Sequence, residues 1–253
     1  MCLILFSYMK HPQYRLVLAG NRDEFYERPT QSAAFWEEDN NILAGRDLQA
    51  GGTWLGITKT GRIAAITNYR EPDAFKPNAP SRGRLISGYL QGTANACDYL
   101  REVAAKSSLY NGFNILAGDT EKLCYFSNRD GGVKELAPGI YGLSNHLLDT
   151  PWPKVSLGKK LLGSALNGNL VPEEIFRILR DNTKPGDTKL PKTGVSLEWE
   201  RILSSIFIIS PVYGTRSSTL ITIDYEGNAN FIEQVFNSHP EPREVNKFSF
   251  RIE

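Results

Sequence analysis

The sequence predicts an α+β protein in layers, with antiparallel sheets held between helices. Three observations carry this. Short apolar runs rich in strand formers cluster at the start, middle and end of the chain. Two stretches of helical periodicity separate those clusters. Within a cluster the runs are joined by short turns, so hairpins dominate over βαβ crossovers. The 253 residues are enough to bury a sizeable core, and they read as one domain over residues 1–253.

Each element has its own signal. CLILFSY (2–8) and RLVLAGN (15–21) form a hairpin around the turn residues His11-Pro12. EFYERPTQSAAFWEEDNN (24–41) is rich in turn residues and aromatics and reads as a long irregular loop, a kind that is more often functional than idle. GGTWLGIT (51–58) and GRIAAITN (61–68) make a second strand pair, and REPDAFKPNAPSRGR (70–84) is a loop of positive character. Helical periodicity covers about 84–91 and 94–106. Strands return in FNILAGD, LCYFSN and GIYGLSN. One helix starts at Pro153 and runs to about 166, and another, with an acidic first turn, covers 171–180. Residues 184–193 are polar and proline-rich, a surface loop or lid. SIFIIS (205–210), STLITID (218–224) and NANFIEQVF (228–236) read as strands, and residues 239–253 as a loosely held tail.

Composition excludes several classes. There are 29 Lys+Arg against 28 Asp+Glu, a formal charge of +1, without the basic excess of a nucleic-acid binder. The apolar opening from Met1 to Met9 is too short to span a bilayer and has no basic leader. An integral membrane segment is not expected. Cys2, Cys97 and Cys124 are odd in number and lack C-x-x-C spacing, so neither a disulfide framework nor a zinc site is expected. The absence of Asn-x-Ser/Thr sequons agrees with a reducing setting, and the expected location is cytoplasmic. Phosphate-loop, dinucleotide, zinc-protease and G-x-S-x-G signatures are missing. No metal and no required cofactor is expected.

The chemistry concentrates at the N-terminus. If Met1 is removed, Cys2 carries a thiol and a free α-amine with a reference pKa of about 7.7–8.0. One residue then supplies nucleophile and base. Alternatively, Cys2 is a small apolar residue that opens a buried strand. Asn21-Arg22-Asp23-Glu24 ends the second strand of the first hairpin, which places it beside Cys2. Arg22 there would favour a thiolate, and Asp23 would orient the amine; a solvated turn is the plain alternative. Strand alternation puts Arg22 and Glu24 on one face, Asn21 and Asp23 on the other. Arg46-Asp47 precedes a glycine turn suited either to close approach of a ligand or to a simple structural turn. Arg82 and Arg84 could rim an anion site, and Arg216 could bind an anionic group or pair with Asp23. His146 is a weak candidate haem ligand.

Long blocks carry a resemblance: MCLILFSY, LAGNRDEFYERP, GRDLQAGGTWLGIT, GRIAAITNYRE, SRGRLI, YNGFNILAGD, GLSNHLLDTPWPKV and YGTRSSTLITID. On these the chain is identified as a member of the NRDE-motif family, the transport and Golgi organisation family of animals and bacteria. The same blocks more faintly resemble the choloylglycine hydrolase and penicillin acylase branch of N-terminal nucleophile hydrolases. That resemblance implies a four-layer αββα sandwich. It implies Cys2 as nucleophile, Arg22 and Asp23 as its electrostatic partners, and Asn68 and Asn145 as oxyanion donors. The Arg and Asp are separated in that branch and adjacent here. Asn21, Glu24, Arg46, Asp47, Arg82, Arg84 and Arg216 are the expected substrate-binding residues. The implied activity is that of an N-terminal cysteine amidohydrolase or acyltransferase on a small amide or acyl substrate. The alternative is a non-catalytic carrier of haem or of lipid and acyl-CoA, with haem then a ligand.

Overall fold

A computed structural model describes residues 2–119 and 121–253. Among these the strands form two antiparallel sheets, one of six strands and one of seven. β1 (Cys2–Tyr8) and β2 (Tyr14–Phe25) are the expected first hairpin. Their alternation is two-sided. Ile4, Phe6, Leu16 and Leu18 point between the sheets, and Leu3, Leu5, Val17 and Ala19 point to an outer helical layer. Both faces are apolar because both are covered.

β3 (Thr30–Phe35), β4 (Ile42–Asp47), β5 (Leu55–Thr58) and β6 (Ile63–Asn68) begin the second sheet. β3 lies inside the stretch expected as an irregular loop. It is an edge strand with an irregular register on β4, which blurs its alternation. α1 (Gly83–Gln91) and α2 (Ala96–Ala105) follow as expected. α1 buries Leu85, Ile86, Tyr89 and Leu90, and Asn95 caps α2 by accepting from the Asp98 N–H. β7 (Phe113–Gly118), β8 (Leu123–Ser127) and β9 (Lys134–Glu135) complete the second sheet, and β10 (Gly139–Leu143) joins the first beside β1. α3 (Pro153–Ala165) and α4 (Pro172–Leu179) start on prolines at their first turns. α5 (Leu197–Ile202) is a short helix capped by Ser196. β11 (Tyr213–Asp224), β12 (Asn228–Val235) and β13 (Glu244–Arg251) finish the first sheet.

The layers stack as α1/α2, seven-stranded sheet, six-stranded sheet, α3/α4, which is the expected αββα sandwich. One core lies between the sheets and one beneath each helical layer. Glu233 links the sheets by accepting the Ala33 N–H at 2.7 Å.

Three expectations are corrected. SIFIIS is not a strand: Ile206, Phe207 and Ile208 are buried as irregular backbone, and only Ile209 makes an isolated bridge, to Gly214. Residues expected as a loose tail supply β13, paired along the whole of β12. Cys97 and Cys124 are joined by a disulfide, with Cα atoms 5.6 Å apart. Their separation of 27 residues gives no sequence signal, but α2 packs on β8 and brings them together. Among the described residues no helix is long and apolar enough to cross a membrane.

Candidate active site

The first hairpin builds the site by register. Cys2 on β1 pairs with Arg22 on β2, so the chain start and the end of the N-R-D-E run share one end of the sheet. The alternation set by Leu16 to Ala19 continues through the motif. Arg22 points between the sheets, where its guanidinium lies 4.4 Å from the Trp54 ring centroid. Glu24 shares that face, 4.0 Å from Arg22. Asn21 and Asp23 point to the helical side. Asn21 Nδ2 donates to the Leu179 and Ile206 carbonyls at 2.8 and 2.9 Å, and its Oδ1 accepts from Ser218. Asp23 is buried and accepts from Thr215 Oγ1 at 2.8 Å.

Cys2, Arg22, Asp23, Glu24, Asp47, Asn68 and Arg82 line one cleft of about 470 Å³, closed on its other side by residues of the loop before α1. Cys2 is the free cysteine among the described residues. Its thiol is desolvated, and this pushes it above the ordinary cysteine value; Asp23 adds to the rise and Arg22 opposes it. Burial also raises the Asp23 carboxyl, against the pull of Lys154, the Thr215 hydrogen bond and Arg22.

Lys154 was not singled out from sequence. It is the second residue of α3 and 3% exposed, and its Nζ has no hydrogen-bond partner among the described residues. Burial lowers its pKa to about 8, while Asp23 raises it and Arg70 lowers it further. A signal existed: Lys154 falls on the buried stripe of α3 with Val155, Gly158 and Leu162. Next to it, Arg70 Nη1 donates to Glu200 Oε2 at 2.9 Å, a buried ion pair under Trp152.

The other expected site residues lie elsewhere. Asn145 is fully buried behind Asn68, and its Nδ2 donates to the Asn68 carbonyl at 3.0 Å. It fixes the end of β6 rather than lining the cleft. Asn21 is consumed by the carbonyls already named. Arg46 alternates with Asp47 along β4 and so faces outward, stacked on Trp36 and paired with Glu38. It shares an outer groove with Arg84. Arg216 is the extra residue at a bulge between β11 and β2, and its Nη1 donates to the carbonyls of Phe25, Tyr26 and Arg28. It does not pair with Asp23. The close approach at Gly52 is to backbone: a Cβ there would lie 2.5 Å from the Gly83 carbonyl, so the turn seats the start of α1. His146 has both ring nitrogens engaged, with Tyr69 Oη at 2.7 Å and Thr150 Oγ1 at 2.9 Å. Neither is free for iron. Among the described residues no group of three or more His, Cys, Asp or Glu is placed to hold a metal ion.

The sequence profile for Transport and Golgi organisation 2 matches residues 1–238. The chain belongs to the Transport and Golgi organisation 2 family. It is 38% identical over 282 aligned positions to the Transport and Golgi organization protein 2 homolog of Bos taurus, covering all of both chains. In structure, this family member is similar to the C2A mutant of conjugated bile acid hydrolase from Clostridium perfringens. That match has a TM-score of 0.51 at 9% identity, with 99% of this chain and 97% of the other covered. It is also similar to the Caenorhabditis elegans ortholog of N-acylethanolamine-hydrolyzing acid amidase. There the TM-score is 0.50 at 12% identity, with 87% and 92% covered. The Transport and Golgi organisation 2 chain thus has the sandwich of the N-terminal nucleophile hydrolases.

Proposed function

We propose that this protein is an N-terminal cysteine hydrolase or acyltransferase acting on a small amide or acyl substrate. The observation that carries the reading is the Cys2 thiol, free and opening on a cleft at the strand end that also carries Arg22 and Asp23. One solved structure of similar fold is named as an acid amidase, which supports the reaction class by analogy of fold. Met1 lies outside the described residues. Its removal would expose the Cys2 α-amine as the base for the adjacent thiol. The thiolate then attacks the carbonyl carbon, and the negative charge moves to the carbonyl oxygen. Asn68 lines the cleft, and its side-chain amide would donate to that oxygen. Asn145 acts one step back, by holding the Asn68 backbone. The Arg22 cation offsets the desolvation that keeps the thiol protonated. Collapse of the intermediate expels the amine, which leaves with the proton held by the α-amine. Water, or a second acceptor in the acyltransferase case, then releases the acyl group from sulfur.

The test is intact mass of the native protein followed by turnover of an amide and thioester panel. The expected result is loss of the Met1 mass and turnover that falls by about 10³-fold or more in Cys2→Ala, as for other nucleophile deletions. Equal turnover by both proteins would refute the assignment. A carrier of lipid, acyl-CoA or haem would bind its ligand equally well with Cys2→Ala.

A further inference from the structure

The Cys2 cleft holds a buried cation whose hydrogen bonds are incomplete. The cleft is lined by Arg22, Arg28, Lys76 and Arg82 and by Asp23, Glu24 and Asp47. Most of these charges answer one another. Arg28 donates to Asp47 through Nε at 3.0 Å and Nη2 at 2.7 Å, and lies 3.8 Å from Glu24. Asp47 also accepts the Gln49 and Ala50 N–H groups, and Glu24 accepts that of Phe25. Asp23 is turned to Thr215. Lys76 reaches out to the Ser108 carbonyl.

Arg22 differs from all of them. It is 6% exposed and stacked on Trp54, and its carboxylate neighbour Glu24 is 4.0 Å away, beyond hydrogen-bond reach. Its Nη1 is buried and has no acceptor among the described residues. A buried guanidinium donor without an acceptor is costly, and a ligand oxygen would relieve that cost. Arg82 brings a second guanidinium to the same cleft. Its Nη1 is fixed by the Gly112 carbonyl at 2.8 Å, and it lies near the Cys2 thiol, Glu24 and Arg28. Planar guanidinium groups match the paired oxygens of carboxylate and phosphate.

We propose that Arg22 and Arg82 together form a receptor for one anionic group, a carboxylate or a phosphate, on the molecule presented to Cys2. The substrate class is then a small acyl compound carrying a negative charge close to its scissile carbonyl. This rests on the hydrolase reading only in calling that molecule a substrate; the receptor itself does not depend on turnover.

The test uses two alkylating reagents of nearly equal size, anionic iodoacetate and neutral iodoacetamide. In both, the Cys2 thiolate attacks the methylene carbon, a C–S bond forms, iodide leaves with the C–I electron pair, and the thiol proton has gone to solvent. Cys97 and Cys124 are bonded to each other, so Cys2 takes the label. The ratio of the two rates cancels the thiolate fraction and is referred to the same ratio for free cysteine. The expected ratio at Cys2 is higher than for free cysteine by about tenfold or more, the scale of one charge-assisted hydrogen bond. Arg22→Gln and Arg82→Gln should each return it toward the free-cysteine value, while Arg82→Lys should keep most of the gain. Thermal melts identify any variant that has lost its fold, and the remaining variants decide. Protection of Cys2 by inorganic phosphate at lower concentration than by acetate assigns a phosphate, and the reverse order a carboxylate. A wild-type ratio at or below that of free cysteine would overturn the receptor, as would a ratio unmoved by every folded variant. A high ratio with no amide turnover would keep the receptor and remove the hydrolase reading.

Discussion

The two outer helical layers cover their sheets by different means. Beneath α1 and α2 the buried core is apolar, with Leu85, Ile86, Tyr89, Leu90, Leu100 and Val103 against Ala64, Ile66, Phe113 and Ile115, and the half-buried Arg62 stacks on Tyr89. The Cys97–Cys124 disulfide closes that layer. Beneath α3 and α4 the packing starts the same way, with Leu3, Leu5, Val17 and Ala19 against Val155, Leu162 and Ile175. It then turns polar toward the Cys2 end, where Asn21, Asp23, Lys154, Arg70 and Glu200 are all buried. Burying charge is unfavourable unless it is paired, and proteins concentrate such arrangements at functional sites. One layer therefore acts as scaffold, while the other gives up apolar packing to hold the groups around Cys2.

The largest test of that contrast is Glu200→Ala. It removes the carboxylate to which Arg70 Nη1 donates and the acceptor used by the Thr193 N–H and Oγ1. Loss of one partner of a buried pair should lower unfolding free energy by about 3–5 kcal/mol, read from denaturant melts. A loss below ~1 kcal/mol would mean that the polar end of this layer is not structurally coupled.

On the scaffold side, Cys97→Ser opens a loop of 27 residues. The expected cost is about 3–4 kcal/mol from the entropy returned to the unfolded chain. The layer should keep its apolar packing, so alkylation of Cys2 should be unchanged in the folded variant. A changed Cys2 reactivity would break the division between scaffold and site.

The smallest expected effect concerns Lys154. Burial depresses its pKa from 10.5 to about 8 in the folded state. Between those values the unfolded chain binds more protons than the native one, so stability should rise as pH increases from about 8 to 10.5. The gain should be roughly 1–3 kcal/mol and should vanish in Lys154→Met. Parallel pH profiles for both proteins would show that the ammonium is better solvated than its position implies.

Much of the fold was legible because its layers impose simple periods. The apolar strand-forming runs CLILFSY and RLVLAGN, with the turn signal at His11-Pro12, give the first hairpin, and that hairpin alone brings the N-R-D-E run beside Cys2, where alternation sorts its faces. The same alternation separated Arg22 and Glu24 from Asn21 and Asp23. Proline at the first turn and apolar stripes gave α3 and α4 nearly to the residue. SIFIIS misled because burial without a ladder looks like a strand in sequence. Its polar backbone is satisfied instead by distant partners: the Phe207 N–H donates to the Asp181 carbonyl, and the Ile206 carbonyl accepts from Asn21. Charge alone groups Arg84 with Arg82 as an anion rim, but Arg84 lines the outer groove that it shares with Arg46, which β4 turns to the opposite face from Asp47.

The sequence by itself determined the class of fold, the family, and the meeting of Cys2 with the N-R-D-E strand end. The fold class and that meeting follow from local period and short-range pairing, and the family follows from the long resembling blocks. Only the tertiary structure decided which polar groups face the cleft, that Asn145 braces Asn68, that Lys154 is buried near Asp23, and that Cys97 reaches Cys124. Those facts depend on how separate layers dock, and docking joins residues whose spacing along the chain carries no periodic signal.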